Sequence, residues 1–134
     1  KRWQDRFDAT MFFMRLYHSK IDKICLENPI GFVNSIIKPT QTIQPYYFGD
    51  EAQKTTCLWL KNLPPLVHSS QDTLFNEKTH VSHGEFIEWK NNEGKTKRMP
   101  KWYSDAFKLK PDERSELRSK TFPGIAKAMA EQWG

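Results

Sequence analysis

The 134 residues carry 28% charged, 37% hydrophobic and 13% aromatic side chains, proportions of a globular domain that exclude a disordered or low-complexity tract. With 5 Trp, 4 Tyr and 9 Phe the chain has large side chains for one core, and at this length it buries roughly two thirds of its unfolded surface without disulfide staples. No apolar run approaches the ~20 residues of a membrane span, and 21 Lys+Arg against 16 Asp+Glu leave +5, a mild basic excess compatible with a polyanionic partner.

From Trp3 to His18 the apolar residues Trp3, Phe7, Met11, Met14 and Tyr17 recur at spacings of three and four, the stripe of an amphipathic helix. Ile21 to Leu26 is a short apolar run that ends in Glu27-Asn28 and then Pro29-Ile30-Gly31. It reads as a buried strand entering a loop, and such runs suit interior parallel strands covered on both faces. Phe32 to Ile37 has room for a turn or two of helix before Lys38-Pro39 stops it. Thr42 to Phe48 and Thr55 to Leu60 are β-branched and aromatic, and the polar turn 49–54 between them predicts a hairpin at a sheet edge. Pro45 costs the first of these strands a ladder donor and points to an irregular position.

Beyond Pro64-Pro65 the chain becomes polar. Gly84 to Trp89 is strand-like and runs into a turn at Asn91-Asn92-Glu93-Gly94, within a loop-rich insert. Pro111-Asp112-Glu113 has the proline and acids of a helix start. Pro123 to Trp133 spaces Ile125, Met129 and Trp133 by four, with Ala126 and Ala130 beside them, which predicts a short helix docking by small residues.

Three sets of residues could carry chemistry. Glu27, Asn28 and Pro29 end a strand, and in open α/β sheets ligands bind beyond the carboxyl ends of the strands, where an acid serves as hydrogen-bond partner or general acid. The bland alternative is an acid that caps the next helix or pairs with a lysine. Lys90, Lys95, Lys97, Arg98 and Lys101, with only Glu93 against them, lie among Trp89, Trp102 and Tyr103. Cations neutralise phosphates while aromatics stack on bases, so the mixture suits nucleic acid; tryptophans anchoring a solvated insert are the alternative. His68, His80 and His83 could be assembled with Cys57 into a zinc set, but there is no paired Cys-x-x-Cys, and surface histidines with no metal are the expected outcome. Cys25 and Cys57 sit in the apolar runs KICLE and TTCLWL without a basic neighbour at a spacing that would favour a thiolate, the setting of buried structural thiols in a reducing, cytoplasmic compartment.

The order IDKICLENPIG, QTIQPYYFG, QKTTCLWLKNLPPL and RSKTFPGIAKAMAEQWG resembles the second half of phage and prophage proteins related to DNA cytosine carbon-5 methyltransferases, over residues 3 to 66 and 114 to 134. The resemblance implies an α/β fold, the C-terminal half of a Rossmann-like sheet, with 1–66 as the half-sheet, 67–110 as a DNA-facing insert and 111–134 as a helical segment returning to the sheet. It implies a bacterial cytoplasmic location, double-stranded DNA as partner and S-adenosylmethionine as methyl donor. Glu27 would hold the ring nitrogen and amine of a flipped cytosine, Asn28 and Pro29 would shape that loop, and Gln53, Lys54, Lys90, Lys95, Lys97, Arg98, Lys101 and Trp102 would face DNA. Thr55 and Thr56 stand near where the family's Gln-Lys-Arg-x-Arg segment has arginines, and neither a glycine-rich cofactor loop nor a Pro-Pro-Cys nucleophile motif occurs. Lys1 opens the chain in place of Met, so the expectation is half of a larger domain, inactive alone, whose open sheet edge is covered by an N-terminal half or by a second copy. A phage module that binds nucleic acid or protein without catalysis is the alternative.

Overall fold

The computed structural model describes residues 1–134, which fall into two compact units: residues 1–44, 54–67 and 133, and residues 45–53, 68–132 and 134. Residues 45–53 thus leave the hairpin of the expected half-sheet, and the expected insert and C-terminal segment share one unit. No helix is long and apolar enough to cross a membrane.

In the first unit, helix α1 (Arg2–Tyr17) precedes strand β1 (Ile24–Pro29), a 3-10 turn over Phe32–Ser35, strand β2 (Gln41–Ile43) and strand β3 (Thr56–Lys61). β3 lies between β1 and β2 and is antiparallel to both, Glu27 standing opposite Leu58 and Thr42 opposite Cys57. The sequence predicts β1 as an interior parallel strand; instead it is an edge strand, and no strand pair in the protein is parallel. The reason is burial. Thr56 to Leu60 are all buried, so β3 takes the position with two neighbours, whereas β1 is only partly covered from Cys25 onward. β1 and β2 still run the same way, separated by the reversed strand.

Both faces of β3 are buried, and one core cluster lies on the face that carries Cys57 and Trp59. Trp59 is buried, meets the Phe13 ring edge-on at 5.0 Å and donates its indole N–H to the Ile37 carbonyl at 3.0 Å, which satisfies the one polar atom that its burial would otherwise strand. Met14, Tyr17, Leu26, Val33 and Ile37 pack around Phe13, Cys57 and Trp59. α1 therefore buries Thr10 and Phe13, and the expected stripe through Trp3, Phe7 and Met11 is exposed at its N-terminal end. The expected strand 42–48 stops at Ile43. Gln44 closes the hairpin with its side chain instead, donating to Thr55 Oγ1 at 2.8 Å and accepting from the Lys54 N–H at 2.9 Å, and Pro45–Phe48 forms a 3-10 turn.

The second unit holds hairpin β4 (Phe86–Lys90) and β5 (Thr96–Pro100), helix α2 (Lys101–Ala106), which begins directly at the end of β5, helix α3 (Pro111–Ser119) and all but the last residue of helix α4 (Pro123–Trp133). Asn91 builds the hairpin turn: its carboxamide oxygen accepts the Glu93 and Lys95 N–H groups at 3.0 and 2.9 Å, while Gly94 supplies a φ of +77°. In α4 the buried residues are Ile125 and Ala128, so the packed face is rotated from the one that Ala126 and Ala130 predict. Asp50 caps this helix across the unit, its carboxylate accepting the Gly124 N–H at 2.7 Å. A Cβ at Gly124 would stand 2.1 Å from the Phe48 carbonyl oxygen, so only glycine admits this approach.

Candidate functional site

Alternation along β1 divides the three strand-end residues between two faces. Glu27 shares a face with Cys25 and Pro29 and lies opposite Leu58; Asn28 points to the other face, opposite Cys57. Glu27 and Asn28 are half-buried and Pro29, the last residue of the strand, is exposed. The loop that follows is folded by a residue absent from the expected set. Asn34 accepts the Gly31 N–H on its side-chain oxygen at 3.0 Å, and its amide donates to Cys57 Sγ at 3.4 Å, which ties the 3-10 turn to β3. Asx-type bonding two or three residues after a glycine is the signal that could have found it.

Burial, and after it the nearby Glu27 carboxylate, push the Cys25 thiol up to about 11. At neutral pH only about one in 10⁴ such thiols is ionised, so Cys25 is no nucleophile. Cys57 is buried and holds the Asn34 amide. Neither cysteine forms a disulfide, and no three His, Cys, Asp or Glu side chains gather into a metal-holding group.

The expected DNA-facing residues separate into tethered and presented ones. Gln53 gives its carbonyl to the Trp102 indole N–H at 3.1 Å, and Trp102 packs edge-on against Tyr103 and Phe122; this tryptophan is an anchor of its unit. The Lys54 N–H serves the hairpin through Gln44. Lys101 pairs with Glu85 at 3.3 Å and Lys95 with Glu93 at 3.6 Å, both in the open. Cross-strand partners share a face, so Lys90 and Arg98 lie on one side of the hairpin with Phe86, Glu88 and Thr96, and Lys97 lies on the other with Ile87, Trp89 and Met99. The Arg98 guanidinium sits 4.1 Å above the Phe86 ring. The basic window is thus split over two faces and a turn, and Glu85 and Glu88, outside the window read from sequence, face two of its cations. The aromatic that the hairpin offers beside a cation is Trp89, 41% exposed, and not Trp102.

A second constellation joins two of the three histidines that the sequence predicts at the surface, and both are half-buried. His68 Nδ1 and His80 Nε2 lie 2.8 Å apart, so one donates and the other accepts, and the Tyr47 ring stacks on both, at 4.6 and 4.5 Å. Burial, and then each neighbour's charge (His80 for His68, Lys78 for His80), hold both imidazoles below their usual range. His83 is exposed and turns its Nδ1 to the Gly84 carbonyl. The two half-buried histidines are twelve residues apart and meet through a tyrosine more than twenty residues upstream of either, so no local spacing could show them.

Comparison with family models, with curated protein sequences and with solved structures finds no match to this chain.

Proposed function

We propose that these residues are the base-holding, DNA-facing part of a protein of the DNA cytosine carbon-5 methyltransferase type, a role they fill without transferring a methyl group themselves. The observation that carries this reading is the position of Glu27: a half-buried carboxylate two residues before β1 ends, on a strand whose following loop is fixed by Asn34. A cytosine reaches such a group only when it is flipped out of the stack, where a carboxylate can accept from its exocyclic amine and, once protonated, donate to its ring nitrogen.

S-adenosylmethionine does not fit the residues present. Its recognition calls for glycines clustered in a strand-to-helix turn, whereas Gly31 after β1 is extended, with its nearest neighbour atom 3.9 Å from where a Cβ would stand, and the other five glycines are isolated in sequence. No methyl-transfer step is assigned to this chain. A module that holds nucleic acid without catalysis is the second reading.

Fluorescence anisotropy with matched duplexes and duplexes carrying a mismatched cytosine tests the base-holding role. The mismatched site, already partly unstacked, is expected to bind about tenfold more tightly, and Glu27→Ala should abolish the difference while leaving matched binding in place. An equal preference in the variant removes Glu27 from the base pocket. Binding that is the same for every duplex in both proteins leaves the non-catalytic reading in its place.

A further inference from the structure

α1 turns its large side chains two ways. Phe13 and Met14 serve the core, while Trp3, Phe7 and Met11, spaced by four, form a ridge that the fold leaves uncovered. Beside this ridge, Phe32 and Ile36 of the loop after β1 complete an apolar groove of about 310 Å³, and the Trp3 ring meets Phe32 edge-on at 6.2 Å. Of the two polar side-chain groups among its lining residues, the Trp3 indole N–H and the Thr10 hydroxyl, the hydroxyl donates to the Arg6 carbonyl at 2.8 Å, and the rest of the lining is apolar.

We propose that this groove is where a second copy of the chain docks. Trp3, Phe7, Met11, Phe32 and Ile36 remain 72%, 58%, 49%, 41% and 50% exposed, which with side chains of roughly 150–250 Å² amounts to on the order of 500 Å² of apolar surface, as much as a lone protein's largest patch. Two such faces brought together remove about 1,000 Å², the size at which a specific interface begins. The surface is self-complementary in form, because each copy offers both a ridge and a groove, as a two-fold contact requires. The proposal does not depend on the DNA reading, which uses other residues.

Sedimentation equilibrium of the full chain from about 1 to 200 µM, the range where an interface of minimal size is half-formed, tests it. We expect a concentration-dependent dimer that Phe7→Glu weakens at least tenfold and Met11→Gln weakens less, with far-UV circular dichroism unchanged. Phe75→Glu, at an 89% exposed loop position, should leave the dimer as it is. A monomer throughout the range, a dimer indifferent to both groove variants, or equal weakening by Phe75→Glu overturns the proposal. So does a monomer that binds phosphatidylcholine vesicles and loses them in Phe7→Glu, since the groove then serves lipid.

Discussion

Cys25 and Glu27 stand on the same face of β1, and each constrains what the other can do. The carboxylate is the smaller of the two causes that raise the thiol and burial is the larger, so the sulfur is held neutral chiefly by the sheet itself. Compared with an ordinary cysteine, whose pKa lies near 9.0, a thiol at about 11 has about one hundredth of the thiolate at pH 8. Alkylation of Cys25 by iodoacetamide, followed by mass spectrometry, should therefore run about 100-fold slower than that of free cysteine. Glu27→Gln should speed it severalfold by removing the smaller cause and leaving the larger. A wild-type rate within a few-fold of free cysteine would return Cys25 to the list of nucleophiles. Asn34 shows why the residue scale is hard to read in advance: its two side-chain bonds reach Gly31, three residues away, and Cys57, twenty-three away, and only the first has a local pattern.

At the scale of elements, the irregular segment after Leu66 is held by a few tertiary contacts, and these titrate. The Ser69 carbonyl accepts the Thr79 and His80 N–H groups at 2.9 and 3.1 Å, the Val81 N–H reaches the Tyr46 carbonyl at 2.9 Å, and the His68–His80 pair under Tyr47 lies between these anchors. Both imidazoles are held below the ordinary 6.5. The folded pair thus binds fewer protons than the unfolded chain, and its contribution to stability is complete above about pH 6.5 and lost as the pH falls through the lower folded values. Hydrogen exchange at the Thr79, His80 and Val81 amides, corrected for intrinsic rates, should show less protection at pH 5 than at pH 7.5, and His80→Gln should flatten this dependence. Protection that is the same at both pH values in the wild type would mean that the pair does not hold the segment. Elements with a strong local cause were legible: the 3.6-residue period gave α1 its bounds, Asn91 to Gly94 gave the β4–β5 turn, and Pro111 and Pro123 marked the starts of α3 and α4. What sequence periodicity cannot show is which way an element faces. The stripe along α1 is real, yet half of it is exposed, because Phe13 rather than Phe7 meets Trp59. Likewise β1 is apolar enough for an interior strand and became an edge strand, since β3, with five successive buried residues, took the centre.

For the molecule as a whole, the question is how the excess of +5 is spent. A uniform cloud of charge attracts DNA weakly, whereas each cation seated on a phosphate releases a counterion and leaves a slope of about −0.9 in the logarithm of affinity against that of salt. On the hairpin, Lys95 faces Glu93 and Arg98 lies over Phe86 opposite Glu88, so they are less available than Lys90, at the end of β4, or Lys97, beside the exposed Trp89. Two to four phosphate contacts then predict a slope between about −2 and −4, well short of a dedicated duplex binder with six to ten contacts. Titrations at several salt concentrations should give that slope for the wild type and a slope shallower by about 1.8 for Lys90→Ala with Lys97→Ala, a loss of two contacts. Because Lys90 and Lys97 project from opposite faces of a two-stranded ribbon, both can touch phosphates only if the ribbon enters a groove edge-first or wedges between strands. Single variants separate the two faces: if only Lys97→Ala changes the slope, DNA lies along the side that carries Ile87, Trp89 and Met99, where Trp89→Ala should then weaken binding at every salt concentration without altering the slope. If neither lysine changes it, the hairpin is no phosphate-binding element, and the positive charge of this protein serves something other than DNA.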